Sequence, residues 1–267
     1  MTVKIEKITS VSNTKIKFIR GLLLRKNRLK SGLFIAEGER VCKEAITSGW
    51  IPKYLVFSDD RETYKDTNII IKQCVDNKGY AISVPLKILS KISKKDNPQT
   101  IIGVFENRFS SIDKVREDEF LAWVALDRIR DPGNLGTILR TCDATGANGV
   151  ILIDDCCDPF SPESVRASMG AIFSVNIVQM TSVKFLKWIK NRKEKLVGTS
   201  LNAKTFYTDL DWGKKPILLM GNEQSGLTKD LQSKTDINVK MPMRGSSDSL
   251  NLSVATGIFL YEILRKS

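Results

Sequence analysis

Apolar residues early in the chain fall at Ile16, Ile19, Leu22 and Leu23, a helical spacing, and Lys15, Lys17, Arg20, Arg25, Lys26, Arg28 and Lys30 surround them. The pattern predicts an amphipathic helix with a basic face. LFIAEG (33–38) then reads as a buried strand, and ERVCKEAITSG (39–49) as a helix ended by Gly49. KYLVFS (53–58), NIIIKQC (68–74), YAISVP (80–85) and TIIGVFE (100–106) read as further strands, with short helices between some of them. Together these predict a compact α/β unit over residues 1–107. The polar stretch ENRFSSIDKVREDEF (106–120) has no apolar periodicity, so a linker is expected over 108–120. Residues 121–267 alternate regularly. Strands are expected at 121–127, 149–154, 174–180, 195–201, 216–221 and 237–242, and helices at 135–145, 162–170, 182–193, about 226–232 and 250–265. Such alternation predicts a parallel sheet covered by helices, with any ligand beyond the carboxyl ends of its strands.

Composition narrows the chemistry. A chain of 267 residues with 42% hydrophobic residues can bury two modest cores. No apolar run has the length of a bilayer span, and the charged N-terminus MTVKIEKITSVSNTKIK lacks the apolar core of a secretory signal. The five cysteines form no CxxC pair and there is no histidine, so free buried thiols in a reducing cytoplasm are expected, with no zinc site and no other metal. Without histidine, Ser-His-Asp and Cys-His nucleophilic chemistry and histidine general-base catalysis are excluded. Residues 1–110 hold 21 Lys and Arg against 11 Asp and Glu, whereas residues 111–267 hold 21 against 19. A basic excess gathered in the first part predicts a polyanion bound mainly there, although a solvated basic helix has the same composition.

Three strand ends carry more small and polar residues than packing requires. In LDRIRDPGNLGTILRTCDATGA (126–147), Asn134 is placed to cap a helix, Gly136 lies in its first turn, Arg140 lies two turns in on an apolar face, and Gly146 ends it. Taken alone, Asn134 is explained by capping, and Arg140 by snorkelling or by pairing with a buried acid. In ILLMGNEQSGLTKDL (217–231), Gly221 and Gly226 bracket a turn in which backbone amides can approach a ligand. Leu227 stands where a phosphate-binding P-loop needs lysine, and no GxGxxG dinucleotide fingerprint is present. In VKMPMRGSSDSLNLSVATGIFLYEIL (239–264), Ser249, Asn251 and Ser253 open a long apolar helix, where a local capping cluster would also place them. Capping accounts for each segment singly, but not for all three at successive strand ends.

Together the three segments resemble the three motifs of the SpoU-type branch of the SPOUT RNA methyltransferases. Asn134, Gly136 and Arg140 match the first motif. Gly221-Asn222-Glu223 and Gly226 match the second, and Met241-Pro242-Met243 through Ser249-Leu250-Asn251-Leu252-Ser253 the third. Gln224 departs from the small residue usual in the second motif. SNTKIKFIRGLLLRKNR and GLFIAEGER resemble the substrate-binding domain often fused to this family, itself similar to small ribosomal RNA-binding proteins.

The resemblance implies an N-terminal ribosomal-protein-like α/β RNA-binding domain, followed over 121–267 by a parallel-sheet SPOUT domain with a trefoil knot. It implies methylation of a ribose 2′-hydroxyl in structured RNA by S-adenosylmethionine, with ribosomal RNA ahead of transfer RNA, in a cytoplasmic homodimer. Thr199, Leu201, Gly221, Met241 and Leu250 would contact the cofactor, largely through backbone groups. Asn134, Arg140, Glu223, Ser249 and Asn251 would form the catalytic set, with Arg140 reaching the partner's site. A guanidinium stays protonated, so Arg140 is expected to clamp the adjacent RNA phosphate while a phosphate oxygen receives the hydroxyl proton. Lys15, Lys17, Arg25, Lys26, Arg28 and Lys30 are the expected RNA-facing cations. The alternatives are a transfer-RNA enzyme of the same family and a catalytically silent RNA-binding protein of the same fold.

Overall fold

The computed structural model describes residues 5–59, 65–93, 96–114 and 121–267. The chain divides into two units, Met1–Asn107 with Phe160–Ser174, and Arg108–Pro159 with Val175–Ser267. The elements of its first part are β1 (Ile5–Lys7), α1 (Thr14–Gly21), α2 (Arg25–Ser31), β2 (Leu33–Glu37), α3 (Glu39–Thr47), β3 (Tyr54–Ser58), α4 (Lys65–Asp76), β4 (Tyr80–Val84), α5 (Leu86–Ser93) and β5 (Ile101–Glu106). They are followed by β6 (Trp123–Asp127), α6 (Pro132–Thr145), β7 (Gly149–Ile153), α7 (Pro162–Ala167), β8 (Asn176–Met180) and α8 (Ser182–Ile189). The chain closes with β9 (Leu196–Thr199), β10 (Thr205–Phe206), β11 (Ile217–Met220), α9 (Lys229–Gln232), β12 (Ile237–Lys240) and α10 (Leu252–Lys266).

In the first unit the sheet order is β1-β4-β3-β5-β2, with β5 antiparallel to both its neighbours. Ile16 and Ile19 of α1 and Ile88, Leu89 and Ile92 of α5 bury against Val56, Ile82 and Val104 of the sheet. Two expectations are corrected. Residues 68–74 are not a strand but lie within α4, where Thr67, Ile70, Ile71 and Cys74 are buried at helical spacing while Ile69 is 58% exposed. A short apolar run carries no period of its own, and the choice between helix and strand is made by what packs on it. The basic segment likewise forms two helices rather than one. The chain turns extended at Leu24, and the Arg28 guanidinium donates to the carbonyls of Leu22 and Leu23 at the break, each at 2.9 Å.

The helix expected over 162–170 forms as α7, but its segment belongs to the first unit. The physical reason is aromatic. Phe160 and Phe173 join Phe34, Trp50 and Phe105 in one cluster, with Phe34 and Phe160 centroids 4.8 Å apart. Trp50 Nε1 donates to the Phe173 carbonyl at 2.9 Å, so the indole is buried with its polar edge satisfied.

The second unit is a seven-stranded sheet in the order β10-β12-β9-β11-β6-β7-β8, parallel at every pairing, as the alternation predicts. In this sheet the two-residue β10 has no counterpart among the expected strands, as β1 has none in the first. The order in which strands are added switches sides between β6 and β11, which run parallel, so a crevice opens beyond their carboxyl ends. The expected linker is not a free tether where it is described. Ser110 N donates to the Ile177 carbonyl at 2.8 Å and Ser110 Oγ bonds Asn176 Oδ1 at 3.0 Å, both on β8. Residues 115–120 of that linker lie outside the described residues. All five cysteines are free. Burial pushes the Cys42 and Cys74 thiols up to about 12, which leaves them protonated and inert at neutral pH.

Phe34 is fully buried at the centre of the aromatic cluster. Phe34→Ala is expected to cost about 3–5 kcal/mol in urea unfolding. A loss below about 1 kcal/mol would show that the ring cluster does not hold Phe160–Ser174 in the first unit.

Candidate active site

Beyond the carboxyl ends of β9, β11 and β12, a cavity of about 910 Å³ opens in the second unit. Its apolar wall includes Met220, Leu227, Val239, Leu252 and Phe259, and its polar wall comes from the three motif segments together with Gln232 and with Thr199, Ser200 and Asn202 at the end of β9. The size and mixed lining suit a ligand with an apolar ring and a few polar groups.

The first motif leaves β6 through Asp127, whose side chain is fully buried. Its carboxylate accepts from Arg128 Nε at 2.9 Å and from Thr228 N at 2.8 Å, which ties the end of β6 to the start of α9. Arg128 adopts a left-handed backbone (φ 54°), so its carbonyl is turned to accept from Asn222 Nδ2 at 2.8 Å. Helix α6 then begins earlier than expected, and its cap is Asp131 rather than Asn134. Pro132 supplies a φ suited to the first turn, and Asp131 Oδ1 accepts from Asn134 N at 2.6 Å. Asn134, relieved of capping, is buried and uses its amide across the site.

The second motif is a tight turn. Asn222 and Gly226 exchange backbone hydrogen bonds, and Asn222 Oδ1 accepts from Gln224 N and Ser225 N at 3.0 and 3.1 Å. A Cβ at Gly221 would lie 2.3 Å from the Gly226 carbonyl carbon, and Gly226 itself has φ 64°. Both positions therefore require glycine for this closure. The Glu223 carboxylate accepts from Arg130 N and Asp131 N at 3.2 Å and from Asn134 Nδ2 at 3.4 Å, with Asn222 Nδ2 also at 3.4 Å. Four donors occupy its two oxygens. A carboxylate at the amino end of α6 is also favoured by the helix dipole.

The third motif joins through Asn251. Its Nδ2 donates to Asn134 Oδ1 at 2.9 Å, and its Oδ1 accepts from Ser253 N and Ser253 Oγ at 2.9 and 2.7 Å, capping α10. The capping reading of Asn251 is thus correct, and the same side chain also reaches the first motif. Asn222, Glu223, Asn134, Asn251 and Ser253 form one hydrogen-bonded chain through all three motifs.

Asn134, Glu223, Ser249 and Asn251 line the cavity, as do Thr199, Leu201, Gly221, Met241 and Leu250. Arg140 does not. It is exposed on α6 between Leu139 and Cys142, which are fully buried, so the apolar face assumed for it is corrected. Among the expected RNA-facing cations, Lys17, Arg25, Lys26 and Lys30 are exposed. Arg28 is corrected. It is 5% exposed and spends its guanidinium on the carbonyls at the helix break. The Lys15 ammonium donates to Glu6, which raises its pKa, and lies 4.9 Å from the centroid of the Tyr80 ring. Asp127, Arg128 and Thr228 gave no functional signal in the sequence beyond a lone acid at the end of an apolar strand, and Asn222 was legible only as part of the second motif.

The lining residues include one lysine and no arginine, but two carboxylates, Glu223 and Asp248. That wall suits a cationic ligand with an aromatic base, and it does not suit a polyphosphate. S-adenosylmethionine has this chemistry. Among the described residues, no group of three or more His, Cys, Asp or Glu could hold a metal ion. No helix of the described residues is long and apolar enough to cross a membrane.

Replacing either Glu223 oxygen by an amide would set a donor against two donors. Because Glu223 is exposed, water offsets part of this loss, so the cost of Glu223→Gln is expected near the low end, about 1 kcal/mol. S-adenosylmethionine binding should weaken about fivefold by calorimetry. Unchanged affinity would mean that the carboxylate does not hold the site together.

Residues 122–261 match the SpoU rRNA Methylase family, and residues 13–103 match the MRM3-like substrate binding domain. The chain is 31% identical over 261 residues to the 23S rRNA (guanosine(2553)-2'-O)-methyltransferase RlmP of Bacillus subtilis (strain 168), covering 97% of this chain and 99% of that one. It is 31% identical over 268 residues to the 23S rRNA (uridine(2479)-2'-O)-methyltransferase of Streptomyces viridochromogenes, covering 97% of this chain and 92% of that one. The AdoMet-bound rRNA methyltransferase of Sinorhizobium meliloti superposes with a TM-score of 0.92 at 39% identity, covering 98% of each chain. With the family matched across the catalytic segment and its three motifs joined at one cavity, the chain belongs to the SpoU rRNA methylase family.

Proposed function

We propose that this chain transfers a methyl group from S-adenosylmethionine to a ribose 2′-hydroxyl of large-subunit ribosomal RNA. The observation that carries this reading is the hydrogen-bonded chain from Asn222 through Glu223 and Asn134 to Asn251 along the wall of the cavity. Both relatives described above act on 23S rRNA at a ribose 2′-oxygen, one at a guanosine and one at a uridine. The shared chemistry therefore lies in the ribose and not in the base. The reading places the chain in the cytoplasm, where ribosomal RNA is modified.

The cofactor supplies a methyl group on a positively charged sulfur, so the protein's work is positioning and relief of one proton. Glu223 is filled by protein donors and acts as the brace between the first two motifs. Asn134, Ser249 and Asn251 hold the ribose and the surrounding loops. Thr199, Leu201, Gly221, Met241 and Leu250 form the cofactor's backbone cradle. Lys17, Arg25, Lys26 and Lys30, with Lys15 more weakly, hold RNA phosphates, while Arg28 serves the fold.

Arg140 lies outside its own cavity, which supports a composite site in a homodimer. The surface for that dimer is the groove of about 610 Å³ between α6 and α10, where Val254, Ile258 and Tyr261 sit beside Thr137 and Thr141. Val254 and Tyr261 are more than half exposed, and pairing would bury them. In the dimer Arg140 clamps the phosphate next to the target ribose, orienting the hydroxyl while a phosphate oxygen takes the proton. The trefoil knot is part of the same proposal, supported by α10 returning from β12, the strand next to the edge of the sheet, to pack on α6.

The test is transfer of labelled methyl from S-adenosylmethionine to unmodified ribosomal RNA and, separately, transfer RNA. Label is expected in ribosomal RNA, at one linkage resistant to alkali. Arg140→Ala should abolish it, and Arg140→Lys should retain less than about a tenth because a bidentate clamp is lost. Label only in transfer RNA would overturn the substrate. Bound cofactor with no transfer to either RNA would favour a silent RNA-binding protein.

A further inference from the structure

Of the two carboxylates that line the cavity, Glu223 has both oxygens occupied by protein donors. Asp248 is exposed, in a run of exposed residues from 244 to 251 that includes Ser249 and Asn251. Lys240 is the cation of the lining, on the strand that leads into the same loop, with Nζ 5.2 Å from the centroid of the Phe206 ring. The cavity therefore offers one negative and one positive side chain, neither built into the motif chain.

We propose that Asp248 receives the α-ammonium of the cofactor's amino-acid end, with Lys240 facing its α-carboxylate. This rests on the cofactor reading above and extends it to residues outside the motif chain. The zwitterionic end of S-adenosylmethionine is its most hydrated part and belongs toward solvent, where the exposed Asp248 lies. The other cationic group, the sulfonium, is the wrong partner on energetic grounds. Its charge disperses as the methyl leaves, so a carboxylate beside it would stabilise the ground state more than the transition state and slow transfer. A carboxylate paired with the ammonium holds a charge that does not change during the reaction. It contributes to binding uniformly and leaves the barrier untouched.

The experiment measures binding to the full-length protein, wild type and Asp248→Asn, of three ligands by calorimetry. S-adenosylmethionine carries both cations, S-adenosylhomocysteine keeps the ammonium without the sulfonium charge, and 5′-methylthioadenosine lacks both. The substitution is expected to weaken the first two alike, about tenfold, and to leave methylthioadenosine within about twofold. Weakening of S-adenosylmethionine alone would assign Asp248 to the sulfonium and overturn the proposal. Equal weakening of all three ligands would make Asp248 a residue that shapes the loop, and no change in any would show that it meets no part of the cofactor. Either result overturns the proposal. Failure of the wild-type protein to bind S-adenosylmethionine would instead overturn the underlying cofactor reading, so the two failures are distinguishable.

Discussion

The Glu223 carboxylate is the constraint on which the rest of the site depends. It lies on a five-residue turn closed by Asn222 and Gly226, and it reaches across to the backbone N–H groups of Arg130 and Asp131 at the amino end of α6. That reach ties the turn to the amino end of α6 and, through Asn134 Nδ2, to the Asn134 side chain. Asn134 in turn fixes Asn251, whose side chain caps α10. Each bond contributes only about 1 kcal/mol net. Their arrangement in series makes displacement of one motif a displacement of all three, which independent caps would not do.

A site of this kind can work without a strong general base. With no histidine in the chain and Glu223 filled by donors, the cavity holds a cofactor and polar groups in register more than it supplies acid–base chemistry. The reaction tolerates this because the leaving group departs from a cationic sulfur. Orientation of the hydroxyl then becomes the main requirement on the protein. The charge division along the chain fits this economy. The basic excess lies in the first part, where an RNA backbone can be held, and the cavity wall in the second unit is nearly free of cations.

Apart from β10, the second unit was legible in the sequence because its central strands β6, β7 and β11 are apolar runs and its longer helices carry their own period. The first unit was less so. Ile69, Ile70 and Ile71 mimic a strand, and only their packing, with Ile69 outward, shows the helix. Arg28 looked like its exposed neighbours, since nothing local reveals that two carbonyls at a helix break will take its guanidinium. Phe160 and Phe173 were read with the catalytic half because sequence order says nothing of which aromatic cluster a segment joins. At the site, the residue types were legible and most partnerships were not. Asp131 and Asn134 both suit a cap, and Pro132 decided between them. Asp127 with Thr228, and Arg128 with Asn222, are pairs about a hundred positions apart that only folding brings together.

The most direct measurement is a double-mutant cycle between Asn222→Ala in the second motif and Asn251→Ala in the third, read as the free energy of S-adenosylmethionine binding. The two side chains are joined only through Glu223 and Asn134 in the hydrogen bonds described. One connected network predicts non-additive losses, with a coupling energy of about 0.5–3 kcal/mol. Losses that add to within about 0.3 kcal/mol would contradict it and return the three motifs to independent loops that happen to share a cavity.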